Sequence, residues 1–276
     1  MTTIVSYVSG NVGAAALGKL SPTAKEQAFY NLDTLKIAGS ADAGRRGSEQ
    51  GFTLEDRLHG ETFEMAEVVS SNVAPVHVAN VLNGHGALVF GGESVGGSIV
   101  VRNGALVGAT ELDLSTPFSL VMIGHGNGNG PEETSGAILS VGGDGHCFAI
   151  RQSTTGAYQA ALDDDSAPDV QVATSAQIDY GPEDYQIVIA SFDPVAGTIT
   201  LNVNDADVVE NSNVTLSAAN GPLRFGQVKD ANGGYKWAAR ESRVVQYGFF
   251  SCDLNATANA NLKAVVLDYY REVAGL

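Results

Sequence analysis

The chain has 276 residues, 33 of them glycine, with 44% hydrophobic and 17% charged side chains. That length and mix suit one large β-sandwich with an added segment, or two modest domains, and exclude a disordered chain. Thirty-one acidic against 15 basic residues give a formal net charge of −16 and a pI near 4.5, which excludes recognition of nucleic-acid phosphates and docking on an anionic membrane, since both need a basic face.

The opening Met1-Thr2-Thr3-Ile4-Val5 lacks the basic stretch of a secretory signal, and no apolar run approaches the roughly 18 residues of a membrane span. Residues 1–20 are small, apolar and Gly/Ala-rich. Ser21-Pro22-Thr23 marks a helix start, and Ala28, Phe29, Leu32 and Leu35 carry a helical rhythm to about residue 37. Residues 38–51 read as loop. A second helix is expected over about 54–66, with Leu54, Leu58 and Met65 interrupted by Gly60. Residues 1–75 are therefore expected to form an attachment arm, too poor in apolar residues to fold firmly alone.

From residue 76 the pattern is β. Val76–Val81 and Ala87–Phe90 read as strands, and Arg102-Asn103-Gly104 predicts a hairpin between 98–101 and 105–107. Pro117 to Gly124 is apolar on both faces, with Phe118, Leu120 and Met122 on one side and Val121 and Ile123 on the other, which predicts a central strand. Further strands are expected near 136–141, 146–152, 157–162, 170–173, 184–192, 197–203, 214–217, 222–227 and 242–250. Asp253 or Asn255 would cap a final helix carrying Leu262, Val266, Tyr269 and Val273 on one face. The two cysteines, Cys147 and Cys252, make no disulfide framework; they are expected as buried free thiols, with pairing left open. The fold expected is all-β: an antiparallel sandwich over 76–276, a C-terminal helix and an irregular, partly helical N-terminal arm.

Five stretches resemble the concanavalin A-like lectin/glucanase superfamily, in particular its laminin-G-like jelly rolls, over about 76–276. They are Asn83 to Gly92, Thr116 to Met122, Tyr185 to Ile189 with Gly197 to Asn204, Leu223-Arg224-Phe225-Gly226, and the segment ending Tyr269-Tyr270-Arg271-Glu272. That superfamily hosts lectins, hydrolases, adhesion modules and virion proteins, so the resemblance implies a fold before a function. A jelly roll behind an irregular arm also resembles tailed-phage structural proteins.

Candidate chemistry is sparse. Glu111-Leu112-Asp113-Leu114-Ser115 resembles the paired-carboxylate strand of the superfamily's glycoside hydrolases, and alternation sets Glu111 and Asp113 on one face. The second catalytic acid is missing, since Ser115 or Thr116 stands in its place. Calcium wants several loop oxygens, which Asp144, the run Asp163-Asp164-Asp165, and Asp205 with Asp207 could supply, although no spacing matches a known calcium loop. His59, His77, His85, His125 and His146 fall in no zinc spacing. For carbohydrate, Trp237 with Tyr235 offers a stacking surface, and Asn127 and Asn129 sit in a glycine-rich loop suited to a binding rim. Asn213 and Asn255 head chance glycosylation sequons.

The reading that follows is a non-enzymatic virion structural protein made in a host cytoplasm. Residues 1–75 would dock it to other virion proteins. The jelly roll would be exposed on the virion surface, self-associate with a trimer favoured, and bind host glycan. A stand-alone carbohydrate-binding module is the alternative, and a glycoside hydrolase of the same fold the third reading. Neither nucleic acid nor membrane is an expected partner, and no cofactor beyond calcium is expected.

Overall fold

The computed structural model describes residues 22–46, 52–65, 75–90, 94–95, 98–99, 105–126, 136–143, 145–153, 156–164, 170–176, 184–217, 220–226, 228–229, 235–236 and 242–276. The chain enters through helix α1 (Ala24–Tyr30), then β1 (Leu35–Ser40), β2 (Gly44–Arg46), β3 (Phe52–Glu55) and β4 (Thr62–Met65). Next come β5 (Val76–Leu82), β6 (His85–Phe90), β7 (Ser94–Val95), β8 (Ser98–Ile99), β9 (Leu106–Gly108), β10 (Leu112–Asp113) and β11 (Phe118–His125). The middle holds β12 (Gly136–Gly143), β13 (His146–Gln152), β14 (Tyr158–Asp164), β15 (Gln171–Thr174), β16 (Gln186–Asp193), β17 (Thr198–Val203) and β18 (Val209–Ser212). The chain closes with β19 (Asn220–Gly221), β20 (Leu223–Phe225), β21 (Val228–Lys229), β22 (Tyr235–Lys236), β23 (Ser242–Phe250) and helix α2 (Ala260–Ala274).

These strands build two antiparallel sheets. An eight-stranded sheet runs β18-β17-β16-β11-β23-β6-β5, with β1 also paired to β23. A nine-stranded sheet runs β15-β14-β13-β12-β20-β9-β4-β3-β2. The alternation read at β11 decides the layering: Phe118, Leu120 and Met122 pack between the sheets, while Val121 and Ile123 pack under the helices. Between the sheets, Phe118 stacks on Phe249 at 5.5 Å and Tyr247 meets Phe225 edge-on at 4.8 Å. On the far face of the eight-stranded sheet, Phe29 of α1 stacks on Tyr269 of α2 at 4.3 Å and meets Phe250 at 6.0 Å.

The division at residue 75 does not survive this packing. β1 lies along β23, from Leu35 opposite Phe250 to Ser40 opposite Gln246, and β4 pairs β9 in the other sheet. Phe29, Ile37, Leu54 and Phe63 are all buried. The apolar count that suggested a weak arm missed that these few side chains are shared with the sandwich and need no interior of their own. The expected helix to residue 37 ends at Tyr30, where Asn31 caps it, and Thr23 accepts from the Glu26 N–H at its start. The expected helix over 54–66 is the β3–β4 hairpin. Its turn holds Asp56, which accepts from the Ala38 N–H at 2.8 Å and the His59 N–H at 2.6 Å.

Other expectations shift. β8 pairs β7, and β9 pairs β4 and β20; the turn of the expected Asn-Gly hairpin, residues 100–104, lies outside the described residues. The strand near 214–217 is displaced to β18. Asp253 takes the Asn255 and Ala256 N–H groups in a turn ahead of α2 instead of capping the helix, and Asn259 occupies the cap position but donates its side-chain amide to the Asp253 carbonyl at 2.7 Å instead of bonding the helix. Cys147 and Cys252 are free thiols, the first buried and the second half-buried.

The chain crosses between sheets at the 3₁₀ turn Ala41–Ala43. Asp42 accepts there from the Gly86 N–H at 2.9 Å, with His77 Nε2 at 3.2 Å and His85 Nδ1 at 3.4 Å. A side chain at Gly86 would collide with this carboxylate. Burial pushes the Asp42 carboxyl up, but bonds from His85, the Gly86 N–H and His77 outweigh it and hold the group at about 2, below the ordinary 3.8. Ionised Asp42 therefore favours folding above pH 3.8, and its contribution fades as pH falls through about 2. Urea melts of Asp42→Asn are expected to show lower stability than the parent near neutrality and a gap that closes as the medium is acidified across that window. Phe29→Ala is expected to cost the whole sandwich about 3–5 kcal/mol in urea unfolding; a detached arm would leave that transition unmoved.

Candidate functional site

The helices cover one face of the eight-stranded sheet, and on the outer face of the nine-stranded sheet the accessible part is the β3, β4 and β9 end, where Thr53 and Val107 are half-buried and Glu64 is exposed. The composition of that outer face follows from strand alternation. Leu54, Phe63, Leu106, Phe225, Val141 and Phe148 point into the core, so their neighbours point out. Cross-strand register aligns these neighbours in one row. From β3 it reads Thr53, Glu64, Val107 and Arg224. It continues through Ser140, Ala149 and Ala161 to Val172 of β15.

The row changes character along its length. Around β12 and β13 the floor is small and buried: Ala137, Cys147 and Ala149 form their own cluster, and the buried Ser140 hydroxyl has no hydrogen-bond partner among the described residues. Beside this floor a second row carries Arg151, Gln159 and Thr174. Arg151 Nε donates to Gln159 Oε1 at 2.8 Å, and Gln159 Nε2 donates to Thr174 Oγ1 at 3.2 Å. Burial lowers the Arg151 guanidinium to about 10, with Asp163 and Cys147 opposing that fall, so it remains charged at neutral pH. Arg224 Nε donates to the Gly142 carbonyl at 3.2 Å.

Toward β4 and β9 the face opens into a cleft of about 760 Å³, lined by His59, Glu61, Glu64, Met65, Val107 and Thr110 among others. Glu61 Oε1 accepts from the Thr110 N–H at 2.6 Å, which fixes one wall. Glu64 and Val107 stand opposite each other on the floor. Carboxylates, an imidazole and a threonine beside Val107 can exchange hydrogen bonds with hydroxyls while packing on C–H faces.

Sequence candidates fare unevenly. Trp237, Asn127, Asn129, Asp144 and Asp165 lie outside the described residues, and Tyr235 is described only as backbone in β22, paired with Lys229. Asp163 and Asp164 do not act together. Adjacent positions on β14 point to opposite faces: Asp163 sits near Arg151, whereas Asp164 takes His146 Nδ1 at 3.0 Å and the Ser217 N–H at 2.6 Å. Among the described residues no three His, Cys, Asp or Glu side chains converge as a metal site. Asp113 is exposed and accepts from both the N–H and the hydroxyl of Ser115, which lowers its pKa. Its strand, β10, pairs β19 in a two-stranded ribbon. Sequence reasoning passed over Arg151, Arg224, Ser140 and Glu64, because only the register reveals that they share a face.

No protein-family profile matches the sequence, and no curated protein matches it. Solved structures do match. A Trypanosoma rangeli sialidase in complex with 2,3-difluoro-KDN superposes with a TM-score of 0.52 at 12% identity, over 87% of this chain and 33% of that one. The receptor-binding domain of botulinum neurotoxin mosaic serotype C/D superposes with a TM-score of 0.50 at 9% identity, over 84% of this chain and 51% of that one. This chain thus spans a third of the sialidase and half of the toxin domain. At these identities the likeness is one of fold: a β-sandwich of the lectin-like kind, as the resemblance implied.

Removing the Asp163 carboxylate would leave Arg151 buried without that neighbouring charge. Asp163→Ala is expected to lower stability in chemical denaturation, and Asp163→Asn to lower it less, because the amide keeps a hydrogen-bonding group in place.

Proposed function

We propose that this chain is a non-enzymatic carbohydrate-binding β-sandwich module, and that it holds its glycan on the outer face of the nine-stranded sheet. The cleft beside Glu64 and Val107 carries the reading. Its carboxylates accept from sugar hydroxyls, and Val107 meets the apolar face of a ring. The half-buried Arg224 stands beside Val107 in the same row, so a second sugar has a guanidinium to meet.

Two similar folds lend support at the level of architecture: the sialidase is in complex with 2,3-difluoro-KDN, and the toxin fragment is a receptor-binding domain. Against the hydrolase reading stands the missing second acid, with Ser115, which donates to Asp113, near its place. The virion reading rested on a front segment free to dock elsewhere. Residues 35–65 instead supply strands to both sheets, and neither similar structure is described as a virion protein.

Glycan-array binding by the full chain tests the reading. At least one oligosaccharide is expected to bind, and Glu64→Gln and Val107→Asp are each expected to weaken it by about tenfold, or ~1.4 kcal/mol. Binding to no glycan, or binding indifferent to both substitutions, would remove the assignment.

A further inference from the structure

A cavity of about 390 Å³ lies on the opposite side of the molecule, between the last turn of α2, the end of β5 and the start of β16. Its apolar wall is Leu82, Ile187 and Leu267, and Tyr185 supplies an aromatic ring, half-buried against the helix-side core. Its polar wall is Gln186, Asn204 and Arg271.

The polar groups hold one another in place. Asn204 Oδ1 accepts from the Ile187 N–H at 2.9 Å, and Asn204 Nδ2 donates to Gln186 Oε1. Gln186 Nε2 donates to the Asp184 carbonyl at 3.3 Å, a carbonyl that also lies 3.2 Å from His125 Nδ1. Each amide oxygen is thereby engaged, and each amide nitrogen keeps a second N–H. Arg271 Nη2 donates to Asp205 Oδ2 at 3.0 Å, and Lys263 Nζ stands 3.8 Å from Asp205 Oδ1. Asp205 is thus shared between two cations of α2. A ligand here meets fixed amide donors, a guanidinium edge, Asp184 at the rim and an aromatic ring.

We propose that this pocket is a second sugar site, which takes one terminal pyranose of a glycan. A pyranose offers hydroxyls that accept from the Asn204, Gln186 and Arg271 N–H groups, and a C–H face that lies against Tyr185. The inference rests on the reading of the chain as carbohydrate-binding, but it concerns different residues on the other side of the sandwich. Two sites on opposite sides let one molecule bridge two glycans, so avidity exceeds either single affinity.

Saturation-transfer NMR of the full chain with the methyl glycosides of glucose, galactose, mannose and N-acetylglucosamine tests the site. At least one glycoside is expected to receive saturation. Tyr185→Leu removes the ring but keeps an apolar side chain; Asn204→Asp removes the amide donors but keeps the oxygen that accepts from Ile187. Each is expected to weaken glycoside binding by about tenfold in protein whose thermal melt shows it folded, while Val195→Ser, in the exposed turn after β16, leaves the signal intact. A parent protein that binds none of the four, or a signal that survives both pocket substitutions, overturns the second site. The glycan-array response of the Tyr185→Leu and Asn204→Asp proteins reports on the outer cleft separately.

Discussion

The fold depends on how the edges of β23 are filled. This nine-residue strand pairs β11 along one edge and divides the other between β6, opposite Ser242–Val244, and β1, opposite Gln246–Phe250. Phe249 and Phe250 are buried on opposite faces, one between the sheets and one under the helices. A missing β1 would therefore strand backbone donors and acceptors in a dry interior, and an unpaired buried peptide group costs about 1–3 kcal/mol. The first described strand is thus a condition for the last. The bonds from Asp56 and the Arg57 N–H to Ala38 fasten the β3–β4 hairpin of the other sheet to the same strand. Pairing residue 35 with residue 250 is about as non-local as this chain allows, which predisposes it to slow folding. The stacking of Phe29 on Tyr269 brings α1 and α2 together over that seam.

The charge balance follows the same layout. With 31 acids and 15 bases, cations are scarce, and several join separate elements. Arg57 lies 3.8 Å from Glu26 at the α1 seam, and Arg271 and Lys263 of α2 converge on Asp205 in the turn after β17. These partly exposed pairs are each worth little on their own. Their value is positional: they fix helix and turn where apolar packing alone would allow sliding. Arg151 differs, being buried on the outer face, where its charge depends on Asp163 and on the bond to Gln159.

The sequence is most legible where one segment carries its whole signal. β11 could be read as central because both of its faces are apolar, and α2 because Val266, Tyr269 and Val273 recur at helical spacing. The front quarter misleads for a physical reason. Leu32 and Leu35 continue the rhythm of α1, yet Asn31 and Thr34 turn the chain, and Leu35 starts a strand that finds its partner more than two hundred residues away. Leu54 and Met65 imitate a helical stripe because a tight hairpin returns apolar positions to one side. The candidate site was the least legible part. Glu64, Arg224 and Ser140 become neighbours only through pairings among β4, β9, β20 and β12. The run of acids at 163–165 drew attention by composition, although alternation separates its first two members.

The unequal coverage of the two sheets confines where recognition can occur. The eight-stranded sheet is apolar on both faces at β11, β16 and β23, because one face meets the other sheet and one meets the helices. A ligand can reach it only at its ends, and the cavity beside α2 is such an end. The nine-stranded sheet has no helix over it among the described residues. Polar groups on its outer side need no apolar partner, and alternation supplies them along the row from Thr53 to Arg224. Where that row turns small at Ser140, Ala149 and Ala161 it is closed off, because all three are buried, so the accessible part of this face is the end built from β3, β4 and β9.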